Sequence, residues 1–142
     1  MKKQILGIVA MFSLLLVLSS ASVQAQSKRF SINIPFNFIV GETAFPAGEY
    51  TVQPTRQDSQ NVWLLENRNR HFNVVFTTIP VWDSVTQGQT KLVFNRYDDQ
   101  YFLSQICTAG DNSSRELRMR HWERQLAKGV QAEKVFAPAS RE

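Results

Sequence analysis

From Phe30 to Cys107 the chain is written in short runs of β-branched and aromatic residues broken by turn residues, and this punctuation limits the fold more than any other feature. Phe30-Ser31-Ile32-Asn33-Ile34 alternates apolar and polar side chains, the period of a strand with one buried face, and Pro35 interrupts its ladder. Phe36-Asn37-Phe38-Ile39-Val40 ends at Gly41-Glu42. Pro46-Ala47-Gly48 is a reversal, because proline presets a turn angle and glycine accepts a positive one, and it launches a strand at Glu49. Val62-Trp63-Leu64-Leu65 continues the series. A long run from His71 to Ile79 stops at Pro80, and residues 81–85 form a further short piece. Lys91-Leu92-Val93-Phe94-Asn95-Arg96-Tyr97 and residues 101–107 flank Asp98-Asp99-Gln100, the best hairpin candidate.

After Thr108-Ala109-Gly110 the pattern changes. Ser113 with Glu116 three residues on is a capping-box signature. Residues 115–128 contain neither Gly nor Pro. The spacing predicts one helix over about 114–128, with Met119, Trp122 and Leu126 on its docking stripe and Gly129 as its stop. Residues 130–142 read as a loose tail in which Val135 and Phe136 pack. The expected fold is all-β, a sandwich or small antiparallel barrel of about seven to eight strands, with one C-terminal α-helix. It forms a single domain over 26–129.

The beginning of the chain sets its destination. Lys2 and Lys3 precede an apolar run over 5–18, and Ser19-Ser20-Ala21-Ser22-Val23-Gln24-Ala25 ends on small residues, the three parts of a signal peptide over 1–25. Cleavage falls between Ala25 and Gln26. The apolar stretch is shorter than the roughly 20 residues of a spanning helix, so no stable membrane span is expected after processing. The reading is export to the periplasm or beyond the cell. Residues 1–25 hold two of the 16 basic side chains and none of the 12 acidic ones, so processing lowers the net charge from +4 to +2. That balance argues against nucleic-acid binding, which needs a concentrated basic footprint.

Candidate chemistry is sparse. A single cysteine, Cys107, excludes an internal disulfide and any multi-Cys metal site, and its strand-like surroundings suit a buried thiol, the alternative being an intermolecular disulfide. His71 and His121 stand at no recognised metal spacing, and Asp98-Asp99 reads as a solvated turn. No phosphate-binding glycine loop, nucleophile elbow or zinc helix appears, so no catalytic residue, cofactor or metal is assigned. Arg115, Arg118, Arg120, Arg124 and Lys128 give the helical segment a basic character suited to an anionic lipid, a glycan or an acidic partner, or simply to a solvated face. Trp63, Trp82, Arg118 and Arg124 are the candidate ligand or partner surface. The other aromatic residues read mainly as core.

Ile34-Pro35-Phe36-Asn37-Phe38-Ile39-Val40-Gly41, Phe45-Pro46-Ala47-Gly48-Glu49-Tyr50-Thr51-Val52, Leu92-Val93-Phe94-Asn95-Arg96-Tyr97 and Gln100-Tyr101-Phe102-Leu103-Ser104 together resemble a group of small exported bacterial β-proteins to which no activity is assigned. The resemblance implies a shared fold and bacterial export, and carries no site residue. The expectation for function is a non-enzymatic exported domain that binds a protein, an envelope surface or a small apolar ligand. The alternative is a hydrolase or metal-dependent enzyme whose site assembles around His71 or His121.

Overall fold

The computed structural model describes residues 28–69, 71–82 and 86–140. The proposed leader and its Ala25/Gln26 cleavage point lie outside the described residues. So does most of the short piece expected over 81–85. Among the described residues ten strands and one helix follow one another: β1 (Phe30–Ile34), β2 (Phe38–Val40), β3 (Thr43–Phe45), β4 (Gly48–Arg56), β5 (Ser59–Asn67), β6 (Asn73–Trp82), β7 (Lys91–Tyr97), β8 (Gln100–Cys107), β9 (Ser113–Leu117), α1 (His121–Gly129) and β10 (Glu133–Pro138). The domain is all-β with one C-terminal helix, as the turn punctuation implied. Among the described residues no helix is long and apolar enough to cross a membrane.

Antiparallel pairs connect β1 to β4, β4 to β5, β5 to β6, β6 to β9, β9 to β8, β8 to β7 and β7 to β10. The end of β10 then returns to β1, where Ile32 bridges Ala139 and the Ser140 N–H donates to the Ser31 carbonyl at 2.8 Å. That seam holds one bridge, so the wall is a rolled sheet and not a fully laddered barrel. The β2–β3 hairpin branches from the first half of β8 through one parallel pair, Ile39 with Phe102, which makes the sheet mixed. The register slips by two residues of β5 at Pro54/Arg56 and by one residue of β8 at Val93/Phe94, irregularities that bend a strand and sharpen its twist.

Period-two alternation decides what fills the interior. Ile32 and Ile34 of β1, Tyr50 and Val52 of β4, and Trp63 and Leu65 of β5 are buried in one cluster with Leu92, Phe94 and Ile106. Phe38 meets the rings of Phe45, Tyr50 and Phe94 at 5.7, 5.1 and 5.6 Å. Aromatic side chains supply large buried areas in a short chain without disulfides. The Tyr50 hydroxyl donates to the Pro46 carbonyl, which fixes the turn into β4.

Three expectations are corrected. Residues 113–117 are not the first turn of a helix but strand β9, laddered to β6 on one side and to β8 on the other. Ser114 is 1% exposed between Val81 and Cys107, so tertiary pairing overrides the capping-box pattern. The helix is confined to His121–Gly129, too short to persist alone. Its first bond, Arg124 N–H to the Arg120 carbonyl, follows an Arg120 in extended conformation, and Met119 falls outside it. It docks through Glu123, which is buried, and through Trp122, whose ring stands edge-on to Phe102 at 5.0 Å.

The expected loose tail is β10, paired with β7 from Glu133–Arg96 to Pro138–Lys91. Ala137 is buried and Val135 packs on the core, while Phe136 lies outside beneath Lys91. Lastly, β6 continues past Pro80 to Trp82. Among the described residues, positions 78–82 ladder only with β9, which leaves an edge for a residue lacking an N–H.

Candidate binding groove

The longest strand changes partner halfway along. β6 ladders with β5 over 73–77 and with β9 over 78–82. Beyond Leu117 the chain leaves the sheet and runs through Arg118-Met119-Arg120 to α1. On the far side, β8 gives its second half to β9 and its first half to the β2–β3 hairpin. The division opens a groove of about 850 Å³. It lies between Val74-Val75-Phe76-Thr77 of β6, the hairpin turn Val40-Gly41-Glu42-Thr43, and Leu117, Arg118, Met119, Arg120, His121 and Arg124. Gly41 takes φ +64° in the two-residue hairpin loop, a conformation that favours glycine. Its carbonyl accepts from Trp122 Nε1 at 3.4 Å, so the turn also anchors the helix start.

The rim is cationic. Arg118, Arg120, His121 and Arg124 are all exposed, and Glu42 is the acidic side chain among the described lining residues. Ion pairs form between Lys28 and Asp111, Arg56 and Asp58, Arg68 and Glu49, and Arg96 and Glu133, and among the described residues none neutralises Arg118, Arg120 or Arg124. Like charges gathered around a concave surface raise the local concentration of anions.

Arg118 and Arg124, two of the four sequence candidates, are brought together here. Trp82 is 74% exposed at the end of β6, away from the groove lining. Trp63 is corrected: it is 1% exposed in the interior, where its indole N–H donates to the Gln60 carbonyl at 2.8 Å, because its position in β5 points inward. His121 lines the groove and has Gln125 Nε2 at 3.4 Å, whereas His71 is exposed ahead of β6 and takes no part in the lining. Cys107 is buried. Asp98-Asp99 is the hairpin loop, with Asp98 at φ +54°. Arg115 lies elsewhere, reaching Gln60 and Asn61, and Lys28 joins Gln60 and Asp111, so this polar cluster ties four separate segments together.

Glu42 and the β6 residues carry no local sequence signal of a surface site, and Arg120 stands out only as part of the basic run from Arg115 to Lys128. The available signal was the alternation Arg118-Met119-Arg120, which has the period of extended chain and not of a helix face.

One buried acid stands apart from the groove. Glu123 Oε1 accepts from Asn95 Nδ2 at 3.2 Å and from the Tyr97 hydroxyl at 3.4 Å, and Lys134 Nζ donates to Asn95 Oδ1. Burial pushes its carboxyl above the usual carboxylate range, while Asn95, Tyr97 and Lys134 pull it back. Burial, then the charge and hydrogen bond of Glu123, push the Tyr97 phenol up, so it remains a donor. Among the described residues no group of three or more His, Cys, Asp or Glu side chains could hold a metal ion.

No family model, curated protein or solved structure matches the chain.

Proposed function

We propose that the protein is an exported, non-enzymatic β-domain that acts by binding, and that the groove beside β6 receives an anionic partner. The observation that carries this reading is the set of three guanidinium groups, Arg118, Arg120 and Arg124, on one groove with no ion pair among the described residues. A small apolar ligand is less suited: large side chains occupy the rolled sheet, and the groove rim is charged. The leader motif over 1–25 favours a periplasmic or extracellular site of action. Arginine suits carboxylate recognition because its planar fork donates two parallel hydrogen bonds.

An enzyme built around His121 is the second reading, supported by the place of that imidazole in the groove lining. It needs a general acid or nucleophile within reach, and Gln125 is the polar neighbour the structure gives.

The test is fluorescence anisotropy of labelled octaglutamate, with octalysine as the control, against residues 26–142. Binding of octaglutamate, weakened at least about tenfold by R118E/R124E, is the expected outcome. Equal binding by parent and double variant overturns the assignment of the groove.

A further inference from the structure

Two strand edges border the groove. β6 ladders with β5 through 73–77 but with β9 only from Thr78 onward. The side of Val74-Val75-Phe76-Thr77 turned away from β5 therefore has no ladder partner among the described residues. Among the described residues β3 ends the path of the sheet, paired with β2 alone, and Thr43 at its start lines the same groove. In a strand every second residue turns its N–H and C=O toward a given edge. An edge left in that state is a template for one more strand.

We propose that the occupant is an extended acidic peptide segment of a partner protein, which adds to the β6 edge as a strand and sets its carboxylates against Arg118, Arg120 and Arg124. The proposal rests on the anion-binding reading and adds main-chain pairing to it. Main-chain hydrogen bonds supply affinity in this mode and side chains supply specificity. Charge complementarity selects the occupant. A second copy of this chain docked edge to edge about a two-fold axis would bring the same cationic rim against itself, and facing like charges suppress such a pairing.

The experiment uses residues 26–142 and two capped eight-residue probes of alternating glutamate and valine. One is an ordinary peptide. The other has its four central amides replaced by esters, which preserves charge and side chains but removes N–H donors from both edges. Isothermal titration is paired with amide hydrogen exchange. The expected result is that the ester probe binds about tenfold more weakly, and that the peptide slows exchange within residues 74–77. Equal affinity for the two probes, with both weakened by R118E/R124E, overturns strand addition and leaves the anion-binding reading standing. Absence of binding by either probe and by octaglutamate overturns both. A concentration-dependent dimer in sedimentation velocity that is abolished by Val75→Lys, in protein that ignores the probes, assigns the groove to a second copy and overturns the proposal.

Discussion

The Tyr97 hydroxyl donates to the Glu123 carboxylate at 3.4 Å, across the joint between β7 and α1. Asn95, also on β7, donates to the same oxygen. A helix of nine residues cannot hold itself together in water. Its position, and with it the placement of Arg124 on the groove, depends on this joint and on the Trp122–Phe102 ring contact.

That buried acid makes stability depend on pH. Glu123 keeps its proton to higher pH in the folded chain than in the unfolded one, so the folded state binds more protons between those two pKa values. Stability is therefore fully present below the ordinary carboxylate range and declines as pH rises through the raised folded value. Glu123→Gln keeps an acceptor for Asn95 and Tyr97 without the charge. It should flatten this decline and leave the protein at least as stable at pH 7.5, by up to about 1 kcal/mol. Glu123→Ala leaves both donors unpaired and should destabilise by about 2 kcal/mol. Urea unfolding at pH 4.5 and 7.5 measures all three proteins.

Trp63 tests the interior. It is among the largest fully buried side chains and bonds to Gln60. Trp63→Ala should lower unfolding free energy by about 3–5 kcal/mol through cavity formation, whereas Trp82→Ala at an exposed strand end should change it by less than about 0.5 kcal/mol. Chemical denaturation separates them.

The final strand is also testable. Removing residues 130–142 deletes β10, exposes the β7 edge and breaks the Ile32–Ala139 seam. The shortened chain should lose its cooperative thermal transition in circular dichroism. An unchanged midpoint would mean that these residues are a loose tail.

Gly41 links turn chemistry to the groove. Gly41→Ala at φ +64° should destabilise by about 1 kcal/mol, and Gly41→Val by more, since a β-branched residue is poorly tolerated there. Calorimetry of the two variants gives the order. Both should weaken octaglutamate binding more than their stability loss alone accounts for at a temperature where they remain folded.

The strands were legible because their signals are local. Alternation in Phe30-Ser31-Ile32-Asn33-Ile34, the Pro46-Ala47-Gly48 reversal and the Asp98-Asp99 loop each settle a few residues by sterics and burial. The errors came where distant segments decide. Ser113 and Glu116 satisfy a helix-start pattern, yet β6 and β8 offer their backbone ladders on both sides. Val135 and Phe136 read as incidental tail contacts because no local property foretells pairing with β7 about 40 residues earlier in the chain. The basic residues were visible, but their meeting with Glu42 and the β6 edge follows from the change of partner at Thr78, which lies in topology and not in composition.

The most direct measurement is a nitrogen-15 NMR titration of residues 26–142 with octaglutamate. The account expects saturable amide shifts centred on residues 40–43, 74–77 and 118–124, lost in R118E/R124E. Shifts centred instead on the Lys28–Arg115 cluster or on Arg56, with the groove amides silent, would contradict it.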